Sequence, residues 1–319
     1  MTGLEILGTG RCLPQHCVTN DDMARMVDTS DEWISTRTGI RQRYFCGEDE
    51  GVVSLSTGAA RKALEKANIS ADQLGLILTA TFTPDSFTPS VACQVHGALG
   101  CTAAIPCFDL NAACTGFIYA LETARSLLMA GSAGEYALVI GAECISRVLD
   151  MEDRSTCVLF GDGAAAAVVR LADLPYACVL GGRGEAAGLH ANSLLPGQNR
   201  YLFMDGRAIF RFAVDIIPKC LNQLFEKSGT SLEQVDHVVC HQANSRIIDH
   251  VVKKLDAPAE KFYKNMHRYG NTSAASIPLA LDEMLESSVI RPGQTVACVG
   301  FGAGLTWGAV LLRFQARPL

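Results

Sequence analysis

Cys114 has the sequence setting of a reactive thiol. It follows a mostly apolar run typical of a buried strand, and an apolar helical pattern begins after Gly116 and runs to Gly131. Free N–H groups and the positive end of the helix dipole favour a thiolate at such a turn, so we expect a lowered pKa for Cys114. The alternative is that Cys114 is one more small apolar residue in a chain with thirteen cysteines.

Two further polar side chains follow strand patterns in the second half of the chain. His241 comes directly after an apolar run, and Asn271 precedes another helical pattern. The carboxyl ends of strands in parallel α/β sheets gather ligand chemistry, so we expect Cys114, His241 and Asn271 to meet. A histidine can hold or donate a proton, and an asparagine amide offers N–H donors to a developing oxyanion. Taken singly, His241 could be an ordinary strand-end histidine and Asn271 a helix cap.

The second half of the sequence repeats the first at a nearly constant spacing. Aligned pairs lie 161, 160 and 159 positions apart: Gln73 with Gln234, Asn111 with Asn271, and Gly141 with Gly300. In this alignment Cys114 corresponds to Ala274, so only the first half carries the thiol. Strands alternating with helices in both halves predict an α/β fold with mainly parallel central strands.

Each predicted half, residues 1–171 and residues 172–319, is expected to supply one sheet. The helix after Cys114 and its counterpart after Thr272 would pack between the two sheets, because both are apolar on most faces. The first half also carries a predicted helix over residues 20–27, capped by Asn20 or Asp21, and a helical turn capped by Ser30 or Asp31.

Composition argues against several classes of function. A net charge of −6 and a pI near 5.7 do not suit a nucleic-acid partner, and no polybasic membrane segment is present. The sequence shows neither a signal peptide pattern nor eighteen consecutive apolar residues. The cysteines are odd in number, scattered and without a C-x-x-C pair, which is typical of reduced thiols rather than of a disulfide framework or a zinc site. We therefore expect a cytoplasmic protein with no metal and no membrane partner.

Six short segments of the sequence indicate a particular protein family. They are DEWISTRTGI (31–40), NAACTGF (111–117), FGDGA (160–164), HQAN (241–244), GNTSAA (270–275) and GFGAG (300–304). Together they resemble the β-ketoacyl-acyl carrier protein synthase III family of the thiolase superfamily, over essentially the whole chain. The resemblance implies a thiolase-like, duplicated, five-layered α-β-α-β-α sandwich and a homodimer. The nucleophilic cysteine would lie in the half 1–171, and the histidine and asparagine in the half 172–319.

The resemblance implies an initiating condensing enzyme of type II fatty acid synthesis. An acyl-CoA would acylate Cys114, with the backbone N–H groups of Cys114 and Gly304 as the oxyanion hole. Malonyl-acyl carrier protein would then lose CO₂, and its enolate, held by His241 and Asn271, would attack the acyl-cysteine. Coenzyme A enters as a thioester substrate, and no metal or redox cofactor is expected. The rival interpretation is a ketosynthase III-like acyltransferase of secondary metabolism with a different second substrate.

The resemblance also implies a binding site for coenzyme A. Spacing alone puts Trp33 and Arg37 on one helical face, where a half-buried Trp beside an exposed Arg is the simpler interpretation. In the family, the indole and an arginine flank the adenine, which suits their flat faces and charge. The implied set is Trp33, Arg37 and Arg154, with Gly206, Phe210 and Asn244 along the pantetheine tunnel. Ser155 departs from the glycine of well-known relatives and could alter the adenine end.

A docking surface for the acidic carrier protein is expected on the helix after residue 244. Arg246, Lys253 and Lys254 lie seven and eight positions apart, which places them on one face. The alternative is an ordinary solvated helix face.

The primer pocket is predicted from a departure at Thr88. Acetyl-using relatives carry a phenylalanine immediately before the Pro-Ser that opens the next helix, whereas this chain has Thr88 there and Phe87 one position earlier. A small residue would leave room for medium or long acyl chains, at about 0.8 kcal/mol per buried methylene. The competing arrangement shifts the loop by one residue, so that Phe87 fills the space.

Two interpretations come from other classes of protein. Cysteine, histidine and asparagine also form the site of papain-like hydrolases, but the duplicated α/β pattern argues against that fold. A non-catalytic acyl-binding protein is the other, and it requires an inert Cys114.

Overall fold

Two sheets form the frame of the protein. The computed structural model describes residues 2–191, 197 and 199–315. The first sheet has the strand order β1-β7-β6-β4-β5 and the second β11-β12-β13-β8, and two small two-stranded sheets pair β2 with β3 and β9 with β10. The strands are β1 Thr2–Cys12, β2 His16–Thr19, β3 Gln42–Phe45, β4 Leu74–Ala80, β5 Cys107–Leu110, β6 Tyr136–Glu143, β7 Gly163–Asp173, β8 Ala177–Glu185, β9 Leu189–His190, β10 Phe203–Met204, β11 His237–Cys240, β12 Thr295–Gly302 and β13 Gly304–Arg313.

The large sheets are mixed, so the prediction of mainly parallel central strands is only partly right. Strand β4 is parallel to β5 and β6, but β7 runs antiparallel to both β6 and β1. In the second sheet only β11 and β12 are parallel, because β12 turns directly back into β13 as a hairpin.

Helices fill three layers around the two sheets. They are α1 Asn20–Met26, α2 Asp31–Thr38, α3 Val52–Ala67, α4 Val91–Ala98, α5 Gly116–Met129, α6 Gly206–Ser228, α7 Ser245–Lys254, α8 Met266–Tyr269 and α9 Ser276–Glu286. Side chains of α5 and α9 share one core with the facing sides of both sheets. Helices α3 and α4 cover the outer face of the first sheet, and α6 and α7 that of the second. The result is the five-layered α-β-α-β-α arrangement that was predicted.

The internal repeat is visible in the turns that precede α5 and α9. Each central helix follows a 3₁₀ turn, Ala113–Thr115 in the first half and Ser273–Ala275 in the second. Ala113 and Ser273 are 160 positions apart and share a left-handed backbone, with φ of 47° and 48°. The two turns also touch, since a Cβ at Gly116 would lie 3.3 Å from the Cβ of Ala274. Along the chain, the last strand of the first sheet is β7, which ends at Asp173, and the next strand, β8, belongs to the second sheet and begins at Ala177. The predicted division of the two halves at residue 171 stays a prediction.

The cap of α1 differs from the prediction. The cap is Thr19, whose Oγ1 accepts a hydrogen bond from Asp22 N (3.2 Å) while Asp22 Oδ2 accepts one from Thr19 N (2.9 Å). Asn20 is buried instead, and its Nδ2 donates to Asp31 Oδ1 (2.7 Å) at the start of α2. Ser30 caps α2 as predicted, accepting from Trp33 N (3.1 Å). These bonds fix the helix that carries Trp33.

None of the helices in the part of the chain that the structure describes has both the length and the hydropathy needed to cross a membrane.

We predict that Gly141 in β6 is essential for the packing of the turn Ser273–Ala275. A Cβ at Gly141 would lie 2.3 Å from the carbonyl oxygen of Ala274, a backbone atom that cannot rotate away. Gly141→Ala is therefore expected to lower the free energy of unfolding by about 1–3 kcal/mol or more, measured by urea unfolding. Gly97→Ala in α4 is the control, because nothing lies within 4 Å of that site, and it should raise stability by about 0.5–1 kcal/mol. Equal effects of the two substitutions would contradict this assignment.

Candidate active site

Cys114 lies where the two halves of the protein meet. It sits in the middle of the turn Ala113–Thr115, directly before α5, and is only 9% exposed. The end of β12 packs against it so closely that a Cβ at Gly302 would lie 2.8 Å from Cys114 N. Glycine is needed at that position because no side chain fits between the strand and the turn.

Burial raises the pKa of the Cys114 thiol to about 12, against the expected lowering. A hydrogen bond with Ser273 lowers the pKa, and the nearby Glu143 carboxylate raises it, but both effects are smaller than the loss of water. A helix N-terminus contributes typically 0.3–1 kcal/mol, too little to reverse a desolvation of this size. The free protein therefore holds a protonated thiol at neutral pH.

His241 is held in a defined orientation at the end of β11. Its backbone N–H donates to Val299 O (2.8 Å), its Nδ1 lies 2.6 Å from Ser276 Oγ, and its ring packs edge-on against Phe301. The residue is 2% exposed, and burial lowers the pKa of the imidazole to about 3. His241 is consequently neutral at pH 7. Ser276 was not predicted, although the repeat points to it as the counterpart of Gly116 at the start of α9.

The side chain of Asn271 is held by a hydrogen bond that has an equivalent in the first half of the chain. Its Oδ1 accepts a hydrogen bond from Ser273 N (3.0 Å), as Asn111 Oδ1 accepts one from Ala113 N (3.1 Å). Because the carbonyl end is engaged in the turn, Nδ2 is the end that can serve as a donor toward a ligand.

Glu143, at the end of β6, joins the two halves beneath the site. Its Oε1 accepts a hydrogen bond from Ser273 Oγ (3.1 Å), and its Oε2 accepts from Thr81 Oγ1, Phe82 N and both groups of Thr83. The carboxyl group has no exposed surface, and burial raises its pKa to about 7 in spite of these bonds. Sequence reasoning missed Glu143, although an apolar strand that ends in a glutamate is a usable signal for such a residue.

A cavity of about 610 Å³ connects the three predicted catalytic side chains with the surface. Cys114, His241 and Asn271 all line it, together with Phe301 and Gly302. The structure thus brings together the cysteine, histidine and asparagine that were predicted from separate parts of the sequence.

Five of the six residues assigned to coenzyme A line the same cavity. They are Trp33, Arg37, Gly206, Phe210 and Asn244. Arg154, the sixth, stands beside the cavity: its guanidinium lies 4.9 Å from the centroid of the Trp33 ring, the same distance as that of Arg37. Ser155 also lines the cavity, and its Oγ donates to Asp153 Oδ1 (2.6 Å). The indole is therefore covered by the protein's own cations, one of which must move if a flat ligand is to stack on it.

A second cavity, of about 290 Å³, lies on another side of Cys114. Its apolar wall includes Phe82, Phe160 and Phe87, and Phe87 is also 79% exposed. Thr88 is exposed and lines neither of the cavities that reach Cys114. The structure therefore favours the competing arrangement, in which Phe87 is the aromatic wall.

The role of Gly304 as an oxyanion donor stays a prediction. Gly304 is exposed and lines neither of these two cavities, whereas Ala303 lines the second beside Cys114. Its left-handed φ of 137° explains the glycine through the hairpin between β12 and β13 rather than through contact with a substrate.

Known proteins match this chain over nearly its full length. A family model described as 3-oxoacyl-(acyl-carrier-protein) synthase III matches residues 108–181, and the model of its C-terminal region matches residues 225–314. A β-ketoacyl-(acyl-carrier-protein) synthase III of Clostridium acetobutylicum is 46% identical, covering 98% of this chain and 99% of the relative. The crystal structure of a 3-oxoacyl-(acyl-carrier-protein) synthase III from Aquifex aeolicus is 45% identical with a TM-score of 0.92, covering 98% and 100%.

The chain belongs to the 3-oxoacyl-(acyl-carrier-protein) synthase III family. "3-Oxoacyl" and "β-ketoacyl" denote the same group, so the predicted membership and the predicted fold are confirmed. A priming β-ketosynthase of a polyketide pathway is also similar, at 36% identity and a TM-score of 0.92 over 99% of this chain and 97% of that structure.

Cations surround the mouth of the first cavity in this synthase III family member. Arg246 is exposed at the mouth and Lys253 is exposed farther along α7. Lys254 is engaged instead, since its Nζ donates to Val214 O (3.1 Å) and lies 3.5 Å from Asp215 Oδ1. Two exposed arginines of α6 that were not predicted, Arg207 and Arg211, also line the mouth.

We predict that His241 stays neutral between pH 8 and pH 5. Its folded pKa of about 3 lies below the ordinary value of about 6.5, because the buried ring cannot be hydrated as a cation. Unfolding releases this restriction, so His241 should make the fold less stable as pH falls from about 6.5 toward 3.

Histidine NMR spectra recorded across this pH range check the prediction, with His241→Gln assigning the resonance. The signal of His241 should not shift between pH 8 and pH 5. In urea it should titrate near 6.5. A midpoint above 5 in the folded protein would show that the imidazole reaches water.

Proposed function

We propose that this protein is the initiating condensing enzyme of type II fatty acid synthesis. The observation that carries the proposal is the meeting of Cys114, His241 and Asn271 at one cavity, in a chain of the synthase III family. The cavity passes Trp33 and Arg37 on its way to the surface, which suits the adenine and phosphates of coenzyme A. The proposed chemistry uses a thiol, an imidazole, an amide and backbone N–H groups, and it requires no metal or redox cofactor.

In the first half-reaction Cys114 takes the acyl group from acyl-CoA. The sulfur attacks the thioester carbonyl while its proton leaves, and coenzyme A departs as a thiol. Because the thiol has a pKa of about 12, thiolate formation has to be coupled to this attack. The backbone N–H of Cys114 is one proposed oxyanion donor. Gly304 N–H is the predicted second donor, and Ala303 N–H is the alternative, since Ala303 lines the second cavity together with Cys114.

In the second half-reaction malonyl-acyl carrier protein loses CO₂ to give a thioester enolate. We assign the stabilisation of its oxygen to His241 Nε2–H and Asn271 Nδ2. A histidine with a pKa of about 3 suits this role, because a neutral ring donates a hydrogen bond without giving up its proton. Nε2–H is the tautomer present when Ser276 Oγ donates to Nδ1. The enolate carbon then attacks the acyl-cysteine, which breaks the C–S bond and releases β-ketoacyl-acyl carrier protein and the Cys114 thiolate. The thiolate takes up a proton from solvent to restore the thiol.

Substitutions at the three side chains should separate the two half-reactions. His241→Ala and Asn271→Ala should still be acylated on Cys114, but condensation should fall by about 10²–10³, the usual cost of losing such a donor. Cys114→Ser should not be acylated at thiol rates. Intact mass after addition of acyl-CoA measures the first step, and β-ketoacyl product formed with malonyl-acyl carrier protein measures the second.

His237→Ala is the matched control, because His237 begins the strand that leads to His241 but does not line the cavity. An acyl group found on Cys93 or Cys240 would refute the role of Cys114. Condensation at the wild-type rate by Asn271→Ala would refute that of Asn271.

We propose that the carrier protein docks on α6 and α7 around the cavity mouth. Arg246 and Lys253 of the predicted set are supported by their exposure, and Arg207 and Arg211 by their place at the mouth. Lys254 was also predicted to bind the carrier protein. Its hydrogen bond to Val214 O and its ion pair with Asp215 reduce its proposed contribution to docking.

Lys253→Glu should raise KM for malonyl-acyl carrier protein several-fold, with acyl transfer from CoA little changed, because Lys253 lies outside the cavity. The difference should shrink with added salt, since exposed charges are screened over about 8 Å at physiological ionic strength. The control is Arg25→Glu in α1, because the Arg25 side chain is 79% exposed and lies on a different helix from Lys253. Equal losses with both substrates would mean general damage instead of lost docking.

We also propose that Phe87 limits the primer to short acyl chains. Phe87, Phe82 and Phe160 line the second cavity, and Thr88 does not. Phe87→Ala should raise kcat/KM for octanoyl-CoA relative to acetyl-CoA by more than tenfold, because two further buried methylenes contribute about 1.6 kcal/mol. Thr88→Ala is the control and should leave the ratio unchanged. A wild-type preference for octanoyl-CoA would instead support the prediction that Thr88 leaves room for longer acyl chains.

The proposed enzyme is a cytoplasmic homodimer. Strand β5 is an edge of the first sheet and carries the exposed Phe108, and Phe87 is exposed as well, so a second copy has an apolar surface to cover. Thirteen free cysteines support a reducing compartment. Sedimentation equilibrium tests the dimer.

The alternative function is a ketosynthase of secondary metabolism, which the similarity to a priming β-ketosynthase supports. In that case Cys114 would be acylated as before, but a second substrate other than malonyl-acyl carrier protein would give the faster condensation.

A further inference from the structure

Cys46 and Cys144 form a thiol pair outside the cavity that contains Cys114. Cys46 directly follows β3 and Cys144 directly follows β6, and their Sγ atoms lie 2.9 Å apart. Both are free cysteines, Cys46 partly exposed and Cys144 fully buried. None of the proposed catalytic steps uses either thiol.

A metal ion does not explain the pair. Asp162 is the only other potential ligand that the described residues place within 4.8 Å. Both of its oxygens already accept hydrogen bonds, Oδ1 from Ser146 N (2.9 Å) and Oδ2 from Cys46 N (2.8 Å) and Ser146 Oγ. Two thiolates on one zinc ion, each at about 2.3 Å, would stand roughly 3.8 Å apart, farther than these sulfurs.

We propose that Cys46 and Cys144 are an oxidation site that a hydroperoxide converts into an intramolecular disulfide. Closing the sulfurs to about 2.05 Å requires a movement of less than about 1 Å. The backbone on both sides is already held, since Cys46 N donates to Asp162 Oδ2 and Cys144 N donates to Thr83 Oγ1 (2.9 Å). Side-chain rotation therefore provides most of the change.

The oxidation balances in two steps. Cys46, the more exposed thiol, attacks the peroxide, the O–O bond breaks, and the products are Cys46 sulfenic acid and one water or alcohol. The Cys144 sulfur then attacks the sulfenic sulfur, the S–O bond breaks, and the hydroxyl leaves as water with the Cys144 proton. The two electrons come from the two thiols, and the hydroperoxide is the oxidant.

The disulfide would tie the exit of β3 to the exit of β6 across 98 positions of the chain. Such a link restricts the unfolded chain, so the oxidised protein should melt higher, by an amount on the order of 5 °C. Glu143 is the neighbour of Cys144, yet its hydrogen bonds to Thr83 and Ser273 do not involve either thiol. Acylation of Cys114 should therefore survive oxidation.

Treatment of the full chain with hydrogen peroxide tests the proposal. The wild type should lose the mass of two hydrogen atoms, and maleimide should then label two fewer of the thirteen cysteines in denaturant. Non-reducing peptide mapping should join Cys46 to Cys144, and dithiothreitol should reverse all three changes. Cys46→Ser should lose this behaviour, whereas Cys93→Ser, which removes an exposed cysteine elsewhere, should keep it.

Three results would overturn the proposal. One is a gain of oxygen mass without a crosslink, equal in the wild type and Cys46→Ser. Another is a crosslink from Cys46 to a different cysteine, such as Cys12. The third is one equivalent of Zn²⁺ retained through gel filtration by the wild type and lost in Cys46→Ser, which would assign the pair to a metal.

Discussion

The architecture of the site depends on one buried carboxylate. Glu143 ends a strand of the first half, and the hydroxyl of Ser273, from the second half, donates to it. The same carboxylate accepts hydrogen bonds from Phe82 N and Thr83 N, and Phe82 lines the second cavity. Because Ser273 N in turn holds the Asn271 side chain, the position of the amide nitrogen is tied to a residue on the other sheet. The hydrogen bond between Ser273 and Glu143 therefore couples the geometry of the site to the packing of the two halves.

Burial raises the pKa of the Cys114 thiol and lowers that of the His241 imidazole, so both side chains are uncharged. The cysteine keeps its proton and the histidine does not take a second one, since each charged form would lose its water. An uncharged pair avoids the cost of an ion pair in a dry cavity. It also leaves the thiol protonated, and therefore weakly nucleophilic, in the free protein.

Sequence reasoning reached the framework and the three central residues because these depend on local patterns. Strand ends, helix starts and the internal repeat point to Cys114, His241 and Asn271 without knowledge of tertiary contacts. The sign of the pKa shift at Cys114 could not be obtained that way, since it depends on how completely the other half covers the thiol. Ser276 and Glu143 were missed for the same reason, as each acts through a partner distant in sequence. Gly304 and Thr88 line neither cavity while the preceding residues Ala303 and Phe87 line the second, and a sequence pattern cannot resolve such one-residue differences in loops.

The matched turns at Ala113 and Ser273 relate the two halves of the molecule, and Cys114 lies in the first of them. The same left-handed turn, held by the same asparagine hydrogen bond, occurs in both halves. One copy presents a nucleophile and the other has an alanine in its place, with hydrogen-bond donors nearby. Neither repeat contains all three of the residues proposed to be catalytic, so a single repeat provides only part of the site. The thiol comes from one repeat and the histidine and asparagine from the other, so all three line one cavity only when both repeats are present.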